Sequence, residues 1–121
     1  MTVLLDSVIL IDHLNGIRAA TDYLRGLDDA CISVITRAEV LSGKMGPRTE
    51  KAADLLNHYS TLGIGQETAD VAAELRRDHG WRLPDAFQAA LAKIHDLKLA
   101  TRNTRDFSPK KHPFVVVPYT I

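Results

Sequence analysis

At 121 residues, 45% hydrophobic and 25% charged, the chain has the make-up of one ordinary globular domain, which sets aside fibrous, disordered and multi-domain readings. Its 15 basic and 15 acidic residues cancel, excluding a histone-like hold on nucleic acid through bulk charge while leaving room for a local basic rim beside an acidic pocket. The single cysteine, Cys31, forms no internal disulfide. With no leader-like start and no run approaching the roughly 20 apolar residues that span a bilayer, a cytoplasmic protein is expected, without membrane contact.

The opening run of Val3, Leu4 and Leu5 reads as a strand buried on both faces, in the middle of a sheet, with Asp6 at its carboxyl end. In open α/β sheets that edge is where ligands bind. Ser7 is the expected cap of a helix carrying Val8, Ile11 and Leu14 and stopped by Gly16. Residues 17–27 form a second amphipathic stretch on Ala20, Tyr23, Leu24 and Leu27. Residues 30–34 are the second strand, in which Cys31 reads as a buried thiol. Thr36 opens a helix that carries Glu39 and ends near Gly43. Residues 44–48, with two glycines and a proline, are the clearest break.

Residues 49–59 are helical by period, with Ala52, Leu55, Leu56 and Tyr59 on one face. Residues 62–64 are a short strand candidate, and residues 66–79 a helix stopped by Gly80. Leu83, Pro84 and Asp85 open a further helix whose core stripe is Phe87, Ala90, Leu91 and Ile94, with Asp85 off that stripe on the side of Gln88, Ala89 and Ala92. Residues 98–101 are a strand, residues 102–107 a turn or short helix, and residues 114–117 the last strand. Alternating strands and helices predict a single α/β domain over residues 1–121, with a mostly parallel central sheet flanked by helices on both faces.

That topology would gather Asp6, Glu39, Asp85 and Asp106 at one sheet edge. Oxygen ligands without His or Cys suit Mg²⁺ or Mn²⁺ better than zinc. Such a site can orient a phosphodiester and activate water. Asp6, Glu39 and Asp85 are the expected direct ligands, with Asp106 acting through water or a second metal. Taken singly, an aspartate after a strand also reads as a cap, a helical glutamate as solvated surface, and a first-turn aspartate as complement to the helix dipole. Arg82, Arg102 and Arg105 flank the acids and suit RNA phosphates, with Lys110 and Lys111 extending that rim; each alone also reads as solvated surface. Trp81 reads as core cover before base-stacking platform. The five histidines lack metal-ligand spacing and receive no catalytic role. The Tyr23 and Tyr59 faces read as core stripes first, with burial of a partner helix as the alternative.

The blocks Leu4 to Asp12, Ile32 to Gly43, Leu83 to Ala90 and Leu99 to Phe107, in this order and at these separations, resemble the PIN-domain family, and within it the VapC toxins of prokaryotic toxin–antitoxin pairs. The resemblance covers nearly the whole chain. It implies a small α/β nuclease that hydrolyses RNA with Mg²⁺ or Mn²⁺ held by Asp6, Glu39, Asp85 and Asp106. Ser7, Thr101 and Asn103 would steady the site. It also implies a homodimer and a cognate antitoxin. One departure is Val8, where the family often carries Asn or Ser. A PIN-like RNA- or protein-binding module with weakened catalysis is the alternative. A phosphatase using Asp6 as nucleophile would need an acid two residues on, where Val8 stands.

Overall fold

The computed structural model describes residues 2–43 and 49–121; the break expected at 44–48 lies outside the described residues. Five strands form one sheet in the order β3-β2-β1-β4-β5, all neighbours parallel. They are β1 (Val3–Leu5), β2 (Ala30–Ser33), β3 (Ser60–Leu62), β4 (Lys98–Ala100) and β5 (Val115–Val116). The helices are α1 (Ser7–Leu14), α2 (Arg18–Arg25), α3 (Val34–Ser42), α4 (Thr49–Leu56), α5 (Gln66–His79) and α6 (Leu83–Ile94). β1 is central, as its unbroken apolar run requires.

Because side chains alternate across a strand, Leu4 and Leu5 enter different cores. Leu4 packs with Cys31, Leu99, Trp81, Phe107 and the alanine-rich α6. Leu5 packs with Ile9, Leu10, Ile32, Val40 and Leu56 on the other face. Helices therefore cover both sides of the sheet, and all the strands end at one edge. Among the described residues no helix is long and apolar enough to cross a membrane.

Several boundaries differ from those expected. Asp6, not Ser7, caps α1: its Oδ1 accepts from the Ser7 N–H at 2.9 Å. Ser33 caps α3, accepting from the Thr36 N–H at 3.0 Å, so β2 stops at Ser33 and Val34 is already helical. β3 runs 60–62 instead of 62–64, since it pairs with Cys31, Ile32 and Ser33 and has no partner once β2 turns into α3. α4 stops at Leu56, and a tight turn bonding Tyr59 N–H to the Leu56 carbonyl leads into β3. β5 has only two residues, matched to Leu99 and Ala100. Gly80 ends α5 at φ 72°, a left-handed conformation that favours glycine.

The carboxyl-terminal segment is tied to α1 by a buried cluster. Asp12 Oδ2 accepts from Arg102 Nε at 2.7 Å and from the Tyr119 hydroxyl at 2.7 Å, and its Oδ1 accepts from Arg102 Nη2 at 2.9 Å. The Arg102 bonds, reinforced by Tyr119 against the opposing effect of burial, hold the Asp12 carboxyl below its usual range. Burial and the Asp12 bond push the Tyr119 phenol up. A lowered aspartate adds stability above the ordinary aspartate value and loses it on acidification; a raised tyrosine adds stability that is lost as pH rises. Arg102→Met should therefore lower unfolding free energy at neutral pH by about 2 kcal/mol, below the fully buried case because Arg102 is partly exposed. Urea midpoints across pH should show the parent's advantage over this variant fading as pH falls below about 4, where Asp12 takes up its proton.

Candidate metal centre

Asp6 leaves the end of β1 with both oxygens engaged. Besides the Ser7 N–H, Oδ1 accepts from Gln88 Nε2 at 3.4 Å, and Oδ2 accepts from the Thr101 hydroxyl at 2.7 Å. Gln88 is 1% exposed. Its other Nε2 proton goes to Thr36 Oγ1 at 2.6 Å, while its Oε1 accepts from Ser33 Oγ at 2.7 Å. The Thr36 hydroxyl in turn donates to the Leu5 carbonyl at 3.2 Å. Each donor in this chain meets an acceptor, which fixes the amide orientation and the Asp6 rotamer together.

Glu39 and Asp85 each feel the charge of Asp6, and Asp85 also feels that of Asp106. Glu39 projects from α3, Asp85 from the first turn of α6, and Asp106 from the turn after β4. Burial pushes the Glu39 carboxyl up, opposed by a hydrogen bond from Ser7 and reinforced by the charges of Asp6 and Asp85. Burial also pushes Asp85 up, with Asp6 and Asp106 adding to it and Arg82 opposing. Asp106 is held by Asn103, whose Nδ2 donates to Oδ2 at 3.1 Å. Asn103 itself is oriented by its N–H bond to Thr101 Oγ1 at 3.0 Å.

The fit to a cation rests on Asp85. Its Oδ2 is buried and has no hydrogen-bond partner; the nearest cation, Arg82 Nε, stands at 3.6 Å. A buried carboxylate oxygen left this way is costly unless a positive group meets it. Among the described residues no group of three or more His, Cys, Asp or Glu side chains is arranged to hold a metal ion. Mg²⁺ does not demand one, since it keeps several waters and takes as few as one or two carboxylates. The oxygen-only donor set fits a hard divalent ion.

The basic residues divide. Arg82 and Arg105 are exposed and line a cavity of about 490 Å³ with Gly80, Asn103 and Asp106. Arg102, expected beside them on RNA phosphates, instead spends its guanidinium on Asp12, the partner that fills its fork. Lys110 and Lys111 are both exposed. Trp81 is 5% exposed, within the core, and its Nε1 donates to the Asp106 carbonyl at 3.1 Å. Val8 packs against the core that contains Leu5, so Asp6 relies on Thr101 and Gln88 for side-chain support. Gln88 and Asp12 were missed by sequence reasoning. A lone amide among Ala86, Ala89 and Ala90, and a carboxylate inside the apolar run 8–14, were the signals available.

Residues 3–111 match the sequence model of the PIN domain. The chain is 34% identical over 125 residues to Ribonuclease VapC10 of Mycobacterium tuberculosis, covering 94% of each. It superposes on a chain of a toxin–antitoxin complex from Klebsiella pneumoniae with a TM-score of 0.91 and 37% identity, over 99% of this chain and 100% of that one. A chain of FitAcB from Neisseria gonorrhoeae shares the fold at a TM-score of 0.76 and 24% identity, over 99% and 100%.

The buried amide network makes its own prediction. Gln88→Leu leaves the Ser33 and Thr36 hydroxyls without their partner and should lower stability by about 2 kcal/mol. Adding Ser33→Ala should cost less than the sum of the two single changes, because one bond joins them. Urea unfolding of the double-mutant cycle checks it, and strict additivity would show that the pair is uncoupled.

Proposed function

Because the chain belongs to the PIN-domain family, we propose that it is a Mg²⁺- or Mn²⁺-dependent endoribonuclease and the cytoplasmic toxin of a toxin–antitoxin pair. The observation that carries this reading is the buried Asp85 Oδ2, which has no hydrogen bond and only Arg82 at 3.6 Å to offset the charges of Asp6 and Asp106. The ribonuclease name of the M. tuberculosis relative supports RNA as substrate, and the K. pneumoniae complex supports an antitoxin partner.

Asp6, Glu39 and Asp85 would hold the cation, with Asp106 reaching it through water or serving a second ion. Bound there, a hard divalent cation supplies Lewis acidity to a phosphodiester and to an attacking water. The chain's own residues do the positioning. Thr101, Gln88 and the Ser7 N–H fix Asp6, the Ser7 hydroxyl holds Glu39, and Asn103 holds Asp106. Arg82 and Arg105 meet phosphate oxygens from the cavity wall. Hydrolysis proceeds by in-line displacement without a covalent enzyme intermediate.

For the antitoxin, Val34, Ile64 and Leu83 offer apolar surface: they are 36%, 38% and 46% exposed and all follow strand ends or open helices at the site's edge of the sheet. A homodimer completes the proposed assembly.

Asp6→Asn and Asp85→Asn should each abolish cleavage of a labelled RNA in Mn²⁺, by at least about a hundredfold, and EDTA should silence the parent. Asp85→Asn should fold at least as stably as the parent in EDTA, since it removes a buried charge. Cleavage by both variants at the parent rate would refute the assignment.

A further inference from the structure

The turn that carries Asp106 borders a second cavity, of about 220 Å³, which shares Arg105 and Asp106 with the first and adds His79, Trp81, Ser108, Lys111 and His112. Its wall is built from packed rings. His79 stacks on Trp81 at 4.2 Å and 16°, and His112 stands edge-on to both, at 5.1 Å and 5.0 Å. The Trp81 indole is bonded to the Asp106 carbonyl, so this wall is fastened to the acid-bearing turn. Arg105 and Lys111 are exposed, and neither is ion-paired with an acid among the described residues. Burial first, then the charges of His79, Lys93 and Lys111, push His112 toward its neutral form. A neutral imidazole both donates and accepts, as a base edge requires.

We propose that this second cavity is a nucleotide subsite, seating the RNA residue next to the scissile phosphate, with Arg105 and Lys111 on its phosphate and the His79 and His112 imidazoles against its base. The two cavities share Arg105 and Asp106, so a polymer entering the first continues into the second. Cations and stackable rings together match a polyanion with π faces better than an acidic peptide, which has no rings to stack. The proposal rests on the nuclease reading and adds to it a place where the base beside the cut is felt.

The test is binding, in EDTA, of a fluorescein-labelled dinucleotide and tetranucleotide of RNA. The dinucleotide, with one internal phosphate, cannot occupy both cavities. The parent should gain about tenfold in affinity with the longer chain, a typical stacking contribution. Lys111→Ala and His79→Ala should each lose most of that gain, and Lys111→Ala should reduce the salt slope by about one. Lys111 is exposed, so its variant reports even where the His79 change unfolds the protein. No length gain in the parent, or retention of the gain in either folded variant, overturns the subsite. Metal-dependent cleavage is scored separately: a parent that never cuts RNA refutes the nuclease reading, whereas the length gain bears on the subsite alone.

Discussion

Everything at this site depends on one carboxylate being held still at the end of the central strand. β1 is buried on both faces, so its chain can present a charge only where it stops, and there Asp6 is met by donors from three places: its own helix start, α6 and the turn after β4. That convergence is a product of strand order. With β2 and β4 on either side of β1, the ends of the neighbouring strands deliver Ser33 and Thr101 to the same edge. The Gln88 amide then links β2's end to Asp6 through Ser33 and Thr36. Three donors leave Asp6 oxygens with lone pairs to spare, which is what a ligand needs and a merely structural carboxylate does not.

The chain treats two buried aspartates in opposite ways. Asp12 is neutralised from within by a two-pronged arginine and a tyrosine hydroxyl. Asp85, as deeply buried, keeps an oxygen without a hydrogen bond, faced by Arg82 at 3.6 Å, while Asp6 and Asp106 raise the negative potential around it. Arg102, in the turn after β4, is directed to Asp12, and the exposed Arg82 is the cation paired with Asp85 among the described residues. Repulsion among the acids is thus left in place, and it is relieved most directly by a small multivalent cation, whose charge interacts with several carboxylates at once.

Much of this was legible in the sequence because it is local or periodic. An apolar triplet ending in a carboxylate marks a central strand, alternation of strands and helices marks a parallel sheet, and glycine at 80 marks a helix end. What escaped depends on distant partners. Arg102 is indistinguishable by type and position from Arg82 and Arg105; its role is decided by Asp12, on a helix 90 residues earlier in the chain. Gln88 looks like an ordinary helix residue until α6 is seen to be buried nearly all round. The ends of β3 and β5 are set by how far their neighbours run, which no window of sequence contains.

The acid side of the site and its cationic side differ in how their side chains are held. The 102–107 turn is pinned at both ends and in the middle: Thr101 bonds Asp6, Arg102 bonds Asp12, Asn103 bonds Asp106, Trp81 bonds the Asp106 carbonyl, and Phe107 is fully buried. Arg82, Arg105 and Lys111, by contrast, are long exposed side chains around open cavities. Positioning the reacting phosphodiester requires groups that do not reorganise. Accepting different RNA backbones requires groups that do. On the proposed nuclease reading, chemistry falls to the pinned carboxylates and selection among substrates to the exposed cations and the histidine wall beside them, so one can vary without disturbing the other.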